Sequence, residues 1–289
     1  MKITNILSLF DGISCGRVAL DRIGIEYENY YASEIDKYAI KIAQSNFPDT
    51  IQLGDVKNWK EWNLPQIDLL MGGSPCQGFS ITGKQLNFED PRSKLFFEFV
   101  DILNYYKPKY FLLENVRMKQ EYQDIISNYL GVQPIKINSA LVSAQNRNRL
   151  YWTNIPNISQ PLDKGIILKD VLDGDESIEN FINYFDIMKP VNSKSNRVGI
   201  IGKGGQGDRI YTTDKKSVTL MAESGGRGAK TGLYLTGEKT VRMLMPNECE
   251  RLQNLPDNYT EGVSKAQRYK MLGNGWTVDV ITHILNNIK

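Results

Sequence analysis

In the stretch MGGSPCQGFS, Met71 to Ser80, a cysteine directly follows a proline inside a glycine-bearing turn. A thiol at a polar turn, just ahead of a loop or helix, can have a depressed pKa and act as a nucleophile, so Cys76 is a candidate for covalent chemistry. Further on, LLENV (Leu112 to Val116) carries Glu114 at the end of an apolar run. A carboxyl in such surroundings can hold a proton near neutral pH and serve as a general acid. SAQNRNRLYW (Ser143 to Trp152) spaces Gln145, Arg147 and Arg149 by two, which on an extended segment sends all three to one side. Two guanidiniums converging with a thiol and a carboxyl suit an electron-rich heterocycle or a phosphate. Each residue also has a plainer reading. Lone cysteines are usually buried and inert, which is the expectation for Cys15 and Cys249. Glu114 could cap or ion-pair, and the arginines could line a solvated edge strand.

These side chains need a frame that brings them to one edge. In the first half, short apolar runs alternate with segments of helical period, the pattern of βαβ units and a parallel sheet. TNILSLF reads as a strand. GRVALDRIG follows as a helix with Val18, Ala19 and Ile23 toward one side, then the weaker strand EYENYYAS and the helix DKYAIKIAQSNF with Ala39, Ile42 and Ala43 on one face. TIQLGDV, IDLLMGG and KYFLLENV end in Asp55, the Ser74–Cys76 turn and Glu114, and such positions fall at the carboxyl edge of an open parallel sheet, where ligands bind. The turn LFDGISCG (Leu9 to Gly16) lets the backbone approach a nucleotide-like ligand closely. Glu34, past the second strand, can accept from both ribose hydroxyls, and Asp55 can meet an adenine amino group. With no full G-x-G-x-x-G, the set describes an adenosine without requiring a pyrophosphate.

After RLYWTNIP (Arg149 to Pro156) this rhythm stops. Of the 24 glycines, 10 lie between Gly199 and Gly237, and RIYTT, SVTLMA and GLYLTG read as strands of a small twisted sheet. From Val191 to Lys270 there are 14 Lys and Arg against 8 Asp and Glu, within a chain whose net charge is +2. A basic, glycine-rich lobe suits a polyanion partner, and equally a solvated surface. VDVITHILNNIK closes the chain as a helix with Val278, Ile281 and Leu285 on one face, expected to return to the first lobe.

The 289 residues suffice for one domain plus a smaller one. No apolar run reaches bilayer length and no secretory signal is apparent, so a cytoplasmic protein is expected. Three widely spaced cysteines and a single histidine, His283, support neither a disulfide framework nor a zinc site.

The ordered set FDGISCG, Glu34, GDV (Gly54 to Val56), GSPCQGFS, ENV, QNRNR, RMLMPNECERLQNLPDNY and GNGWTVDV (Gly273 to Val280) resembles the DNA cytosine-5 methyltransferase family over nearly the whole chain. Within that family, SITGKQLNFEDPRSKLFFE and GIIGKGGQGDRIYTT with AKTGLYL are similar to a bacterial restriction-modification branch. Ser14 stands where many members carry glycine, and Gly275-Trp276 replaces a more usual pair of small residues.

The resemblance implies a Rossmann-like, S-adenosylmethionine-dependent methyltransferase fold, a mostly parallel α/β sheet with helices on both faces, plus a small β-rich target-recognition domain. The implied boundaries are 1–160 and 262–289 for the catalytic domain and 161–261 for the small one. The implied catalytic residues are Cys76, Glu114, Arg147 and Arg149. Phe10, Gly12, Glu34, Asp55, Pro75 and Asn274 would hold S-adenosylmethionine. Thr82, Arg92, Gln206, Arg209, Thr219 and Gly225 would meet DNA, with a loop from Gly78 to Arg92 as a lid and Thr219 to Gly226 as a second recognition loop. The implied target is a cytosine flipped out of a short GC-rich duplex palindrome, GCGC foremost, in a restriction-modification or phage-protection setting. The partner is then double-stranded DNA, with no membrane or metal, and the chain is expected to act as a monomer in a bacterial or phage-infected cytoplasm. An RNA cytosine-5 methyltransferase, or an idle DNA-binding module of the same fold, are the alternatives. A nicotinamide oxidoreductase leaves the Pro-Cys turn and QNRNR unexplained, and a cysteine hydrolase lacks a suitable base.

Overall fold

A computed structural model of the chain describes residues 3–75, 94–179, 181–193, 195–222 and 226–288. The chain packs as two units, one of Met1–Ile137, Asn148–Gln160 and Val280–Lys289, the other of Asn138–Arg147 and Pro161–Asp279.

The first unit is built on β1 (Asn5–Leu9), α1 (Cys15–Arg22), β2 (Asn29–Ser33), α2 (Lys37–Asn46), β3 (Ile51–Gln52), β4 (Leu69–Gly72), α3 (Lys94–Tyr106), β5 (Tyr110–Val116), α4 (Gln120–Leu130), β6 (Ile135–Asn138) and β7 (Asn148–Thr153). Its seven-stranded sheet has the order β3-β2-β1-β4-β5-β7-β6. The first five of these strands are mutually parallel and β7 runs antiparallel to β5. Every residue of β1 and of β4 is buried. Successive strand residues face opposite ways, so both faces of the sheet are covered, as a mostly parallel sheet requires.

Chain order reverses between β1 and β4, and the crevice past their carboxyl ends is the place where an open α/β sheet binds ligands. Gly72 ends β4 between Leu9 and Leu113. A Cβ there would lie 3.1 Å from the Phe99 ring and 3.2 Å from the Leu9 carbonyl, so glycine lets α3 close onto the sheet.

The helix faces follow the pattern with one correction. In α2, Ala39, Ile42 and Ala43 are buried, and the helix starts where the Asp36 carboxylate accepts from the Tyr38 N–H at 2.9 Å. In α1 the buried side holds Ala19 and Leu20 with Arg17, whereas Val18 and Ile23 are only partly buried. Arg17 turns inward because Tyr27, Thr50 and Asp49 accept its guanidinium donors.

The second unit carries β8 (Lys189–Pro190), β9 (Arg197–Ile200), β10 (Arg209–Thr212), β11 (Leu233–Gly237) and β12 (Thr240–Met243), then α5 (Pro246–Leu252) and α6 (Lys265–Asn274). The last helix, α7 (Val278–Leu285), passes from the second unit into the first at Val280. The small sheet has the order β12-β11-β10-β9-β8 around Ile201, Ile210, Leu233 and Val241. RIYTT and GLYLTG form strands as predicted, but SVTLMA does not. Only Ser217 makes a β-bridge, to Gln145, and the Leu220 N–H is taken by a side chain rather than a neighbouring strand.

Candidate active site

Three loops at the carboxyl edge of the first unit's sheet are tied together. The Asp11 N–H donates to the Ser33 carbonyl at 3.1 Å, and the Gly12 N–H donates to Glu34 Oε2 at 2.9 Å. The Ser33 hydroxyl donates to the Gly54 carbonyl at 2.8 Å, so the exits of β1, β2 and β3 hold one another in place. Phe10 and Ser14 both adopt left-handed φ, 56° and 59°. That conformation costs a non-glycine residue about 1–2 kcal/mol. At Ser14 the hydroxyl donates to Asp11, which also accepts from the Tyr30 hydroxyl at 2.7 Å. The hydroxyl bond to Asp11 offsets part of that cost at Ser14. Burial pushes the Asp11 carboxyl above its usual range, against the lowering effect of the Ser14, Ser8 and Tyr30 hydroxyls.

Among the described residues, the hydrogen bonds that orient Glu34 come from backbone N–H groups. Its Oε1 accepts from the Ile35 and Asp36 N–H groups at 2.7 and 2.8 Å, while Oε2 takes Gly12. An ionised carboxylate has about four acceptor sites, so this arrangement leaves room for one further donor, where the sequence reading has the group accepting from both hydroxyls of a ribose. Asp55 Oδ1 accepts from the Lys57 N–H at 3.0 Å and caps a short 3-10 helix, Val56–Glu61. Ile35, next to Glu34, is 73% exposed. The sequence reading passed over it, because an isolated isoleucine gives no sign of lying outside the core.

Between β1 and β5 the chain leaves β4 through buried Ser74 and exposed Pro75. Cys76, Thr82 and Arg92, with the proposed lid, lie outside the described residues, as does Gly225. Glu114 is on β5 and buried. Its direct partner on β7 is Tyr151, and Arg149 pairs with Val116 two residues along. Directly opposed and diagonal residues of an antiparallel pair share a face, and from that diagonal position Arg149 Nε reaches Glu114 Oε1 at 2.8 Å. The pair is nearly enclosed, with side-chain exposures of 13% and 11%.

Gln145 and Arg147 do not accompany Arg149, contrary to the two-residue spacing. β7 begins only at Asn148, and both side chains are buried within the second unit. Arg147 Nη2 donates to the carbonyls of Gly273 at 3.0 Å and Gly275 at 2.8 Å, and Nη1 donates to that of Leu220 at 3.2 Å. Gln145 Oε1 accepts from the Leu220 N–H at 2.9 Å, and its Nε2 donates to the Leu252 carbonyl at 3.2 Å. Thr219, expected at DNA, donates its hydroxyl to the Asn146 carbonyl. Two buried residues that the sequence reading missed complete the cluster: Thr277 donates to Gln253 Oε1 at 2.8 Å, and Gln253 Nε2 donates to the Leu272 carbonyl at 2.7 Å.

Of the remaining predicted residues, Asn274 is exposed at the end of α6 and Gln206 is exposed at the start of a short helical turn before β10. Arg209 opens β10 half-buried, and its Nε has no hydrogen-bond partner among the described residues. Among the described residues no group of His, Cys, Asp and Glu is placed to hold a metal ion, and no helix is long and apolar enough to cross a membrane.

The family model described as C-5 cytosine-specific DNA methylase matches residues 4–289. The type II methyltransferase M.HhaI of Haemophilus parahaemolyticus is 35% identical over 308 aligned positions, which cover 98% of this chain and 93% of the relative. The type II methyltransferase M1.ScrFI of Lactococcus lactis subsp. cremoris is 32% identical, over 96% of this chain and 75% of its own. The structure of the Entamoeba histolytica methyltransferase EhMeth superposes with a TM-score of 0.76 at 22% identity, covering all of both chains.

Proposed function

The chain belongs to the C-5 cytosine-specific DNA methylase family and is a DNA cytosine-5 methyltransferase; on that premise we propose that Cys76, Glu114 and Arg149 carry the reaction on a cytosine flipped out of a duplex. C5 of cytosine is a poor nucleophile. Addition of the Cys76 thiolate to C6 moves the C5=C6 electron pair into the ring, and Glu114 gives a proton to N3 to support it. C5 is then an enamine carbon able to attack an electrophilic methyl group. Loss of the C5 proton afterwards restores the double bond and expels the thiolate. Arg149 orients Glu114 and meets the cytosine O2.

The methyl donor proposed is S-adenosylmethionine, which supplies a methyl group activated on a sulfonium. Glu34 would accept from the ribose, Asp55 would meet the adenine amino group, and Phe10 with the exposed Ile35 would pack the purine. Gly12 and Pro75 would shape the walls, with Asn274 contributing from the motif after α6. A carboxylate already turned by three amides at the switch-point edge, beside an exposed apolar side chain, fits such a ligand.

The second unit is proposed to read a short GC-rich palindrome, GCGC foremost, through Gln206, Arg209 and the loop from Thr219 to Gly226, with Thr82 and Arg92 contributing from the lid. An arginine on guanine O6 and N7 is the expected major-groove contact. The enzyme would serve a restriction-modification or phage-protection system in the cytoplasm, as a monomer. The single observation that carries the catalytic assignment is the enclosed Glu114–Arg149 pair beside the exit of β4 that leads to Pro75-Cys76. A duplex bearing 5-fluorocytosine at the target tests it. Wild type should be trapped as a denaturation-resistant adduct, because fluorine cannot leave C5 as the proton does. The adduct should be absent with Cys76→Ala, and a full-strength adduct in that variant would remove Cys76 from the mechanism.

A further inference from the structure

The tripeptide Gln145-Asn146-Arg147 holds both backbone polar groups of Leu220 and the hydroxyl of Thr219. Gln145 takes the Leu220 N–H, Arg147 takes the Leu220 carbonyl, and the Asn146 carbonyl takes the Thr219 hydroxyl. The same guanidinium holds the carbonyls of Gly273 and Gly275, which flank Asn274. Gly273 makes a second, independent contact with the loop. A Cβ at that position would lie 2.3 Å from both the Ala222 nitrogen and the Met221 carbonyl carbon, so the two backbones touch. Gln145, Arg147, Gln253 and Thr277 are all at most 2% exposed, and a buried polar network of this kind tolerates little displacement because each lost bond leaves a group unsatisfied.

We infer that Arg147, with Gln145, is a positioning residue that couples the recognition loop to the Gly273–Gly275 segment, and so makes sequence discrimination and cofactor handling depend on one another. The inference rests on the function proposed above, in which the loop reads DNA and Asn274 serves the cofactor. A displacement of Leu220 of about 1 Å breaks hydrogen bonds at their present lengths. To keep them Arg147 must follow, and it then moves the carbonyls on either side of Asn274. A rigid element held at two sites carries coupling in both directions.

Three full-length variants test this. Arg147→Lys keeps the charge but loses the fork that reaches three carbonyls. Gly273→Ala leaves Arg147 intact and wedges the loop away, and Thr219→Val removes one hydroxyl, with Thr219→Ser as its conservative control. For each, kcat/KM is measured on the preferred duplex and on duplexes changed at one base pair, alongside the KM for S-adenosylmethionine and the melting midpoint. Arg147→Lys and Gly273→Ala should reduce the ratio of preferred to altered duplex at least tenfold and raise the cofactor KM several-fold. Thr219→Val should reduce the ratio, and Thr219→Ser should keep it. A ratio within twofold of wild type in all three variants, with activity falling equally on every duplex, would reduce the cluster to structural support and overturn the inference. Absence of methyl transfer to any duplex by the wild type would instead overturn the function on which it rests, and the inference with it.

Discussion

Arg149 Nε lies 2.8 Å from Glu114 Oε1, reached from the position diagonal to Glu114 across the β5–β7 pair. Removing the arginine would leave an enclosed carboxylate without its cation, and removing the carboxylate would leave the reverse. The two residues therefore act as a unit, and their losses should not add. Glu114→Gln and Arg149→Ala should each lower kcat by roughly 10²–10⁴ while cofactor binding persists, and the double variant should be little worse than the weaker single one. Independent, multiplicative losses in that cycle would separate their roles.

A second expectation concerns the three thiols. Cys15 and Cys249 are buried, and burial, with the Glu248 and Glu250 carboxylates beside it, pushes the Cys249 thiol well above its ordinary range. A buried thiol that stays protonated is a poor nucleophile. Native protein titrated with a thiol reagent at neutral pH should therefore show one reactive cysteine, rising to three after denaturation, and Cys76→Ser should show none before denaturation. Two or more fast-reacting thiols in the native wild type would contradict the assignment.

Glu34 should behave differently from Glu114. Its carboxylate organises the Gly12, Ile35 and Asp36 amides, and in the proposed function it would also accept from a ribose hydroxyl. Glu34→Ala should raise the KM for S-adenosylmethionine by more than tenfold and lower the melting midpoint slightly, with a smaller loss of rate at saturating cofactor. A variant with unchanged KM and a collapsed kcat would place Glu34 in the chemistry instead.

Much of this was legible in the sequence because it is local. Apolar runs closing on Asp55 or Ser74 mark strand exits of a parallel sheet, and the ordered motifs identify the family, whereas Glu114 lies inside β5, which runs on to Val116 because β7 pairs with it there. The misreadings are long-range. Arg147 and Arg149 look alike at a spacing of two, yet the partners of Arg147 lie 73, 126 and 128 residues away, and no periodicity in QNRNR reports them. SVTLMA has the composition of a strand, but its backbone is claimed by Gln145 and by the Lys230 carbonyl, which accepts from Met221. Arg17 likewise joins Ala19 and Leu20 on the buried side of α1, with Val18 and Ile23 only partly buried, because its acceptors come from later in the chain.

Acid stability should show one signature of the second unit. The Arg251 guanidinium, 2.8 Å from Asp257 Oδ1, holds that carboxyl below its ordinary value of 3.8. A carboxyl whose folded value is depressed contributes stability above its unfolded value and loses it as pH falls through the folded one. The pair is partly exposed, so the contribution is about 0.2–1 kcal/mol. Asp257→Asn should melt slightly below wild type at pH 6, and the gap should narrow as pH falls below 3.8 and close once the carboxyl is protonated in both states. A gap that is constant from pH 6 to pH 2.5 would assign the effect to something other than this ion pair.

The central claim is that this enzyme methylates C5 of cytosine in a short, defined duplex sequence. Bisulfite sequencing of host DNA after expression of the gene in a strain free of cytosine methylation reports base, strand and context at once. The account predicts protected cytosines confined to one short GC-rich palindrome, on both strands, and none with Cys76→Ala. Protection spread evenly over every CpG would contradict the reading of the second unit, and no protected cytosine in DNA, with 5-methylcytosine appearing only in RNA, would contradict the claim itself.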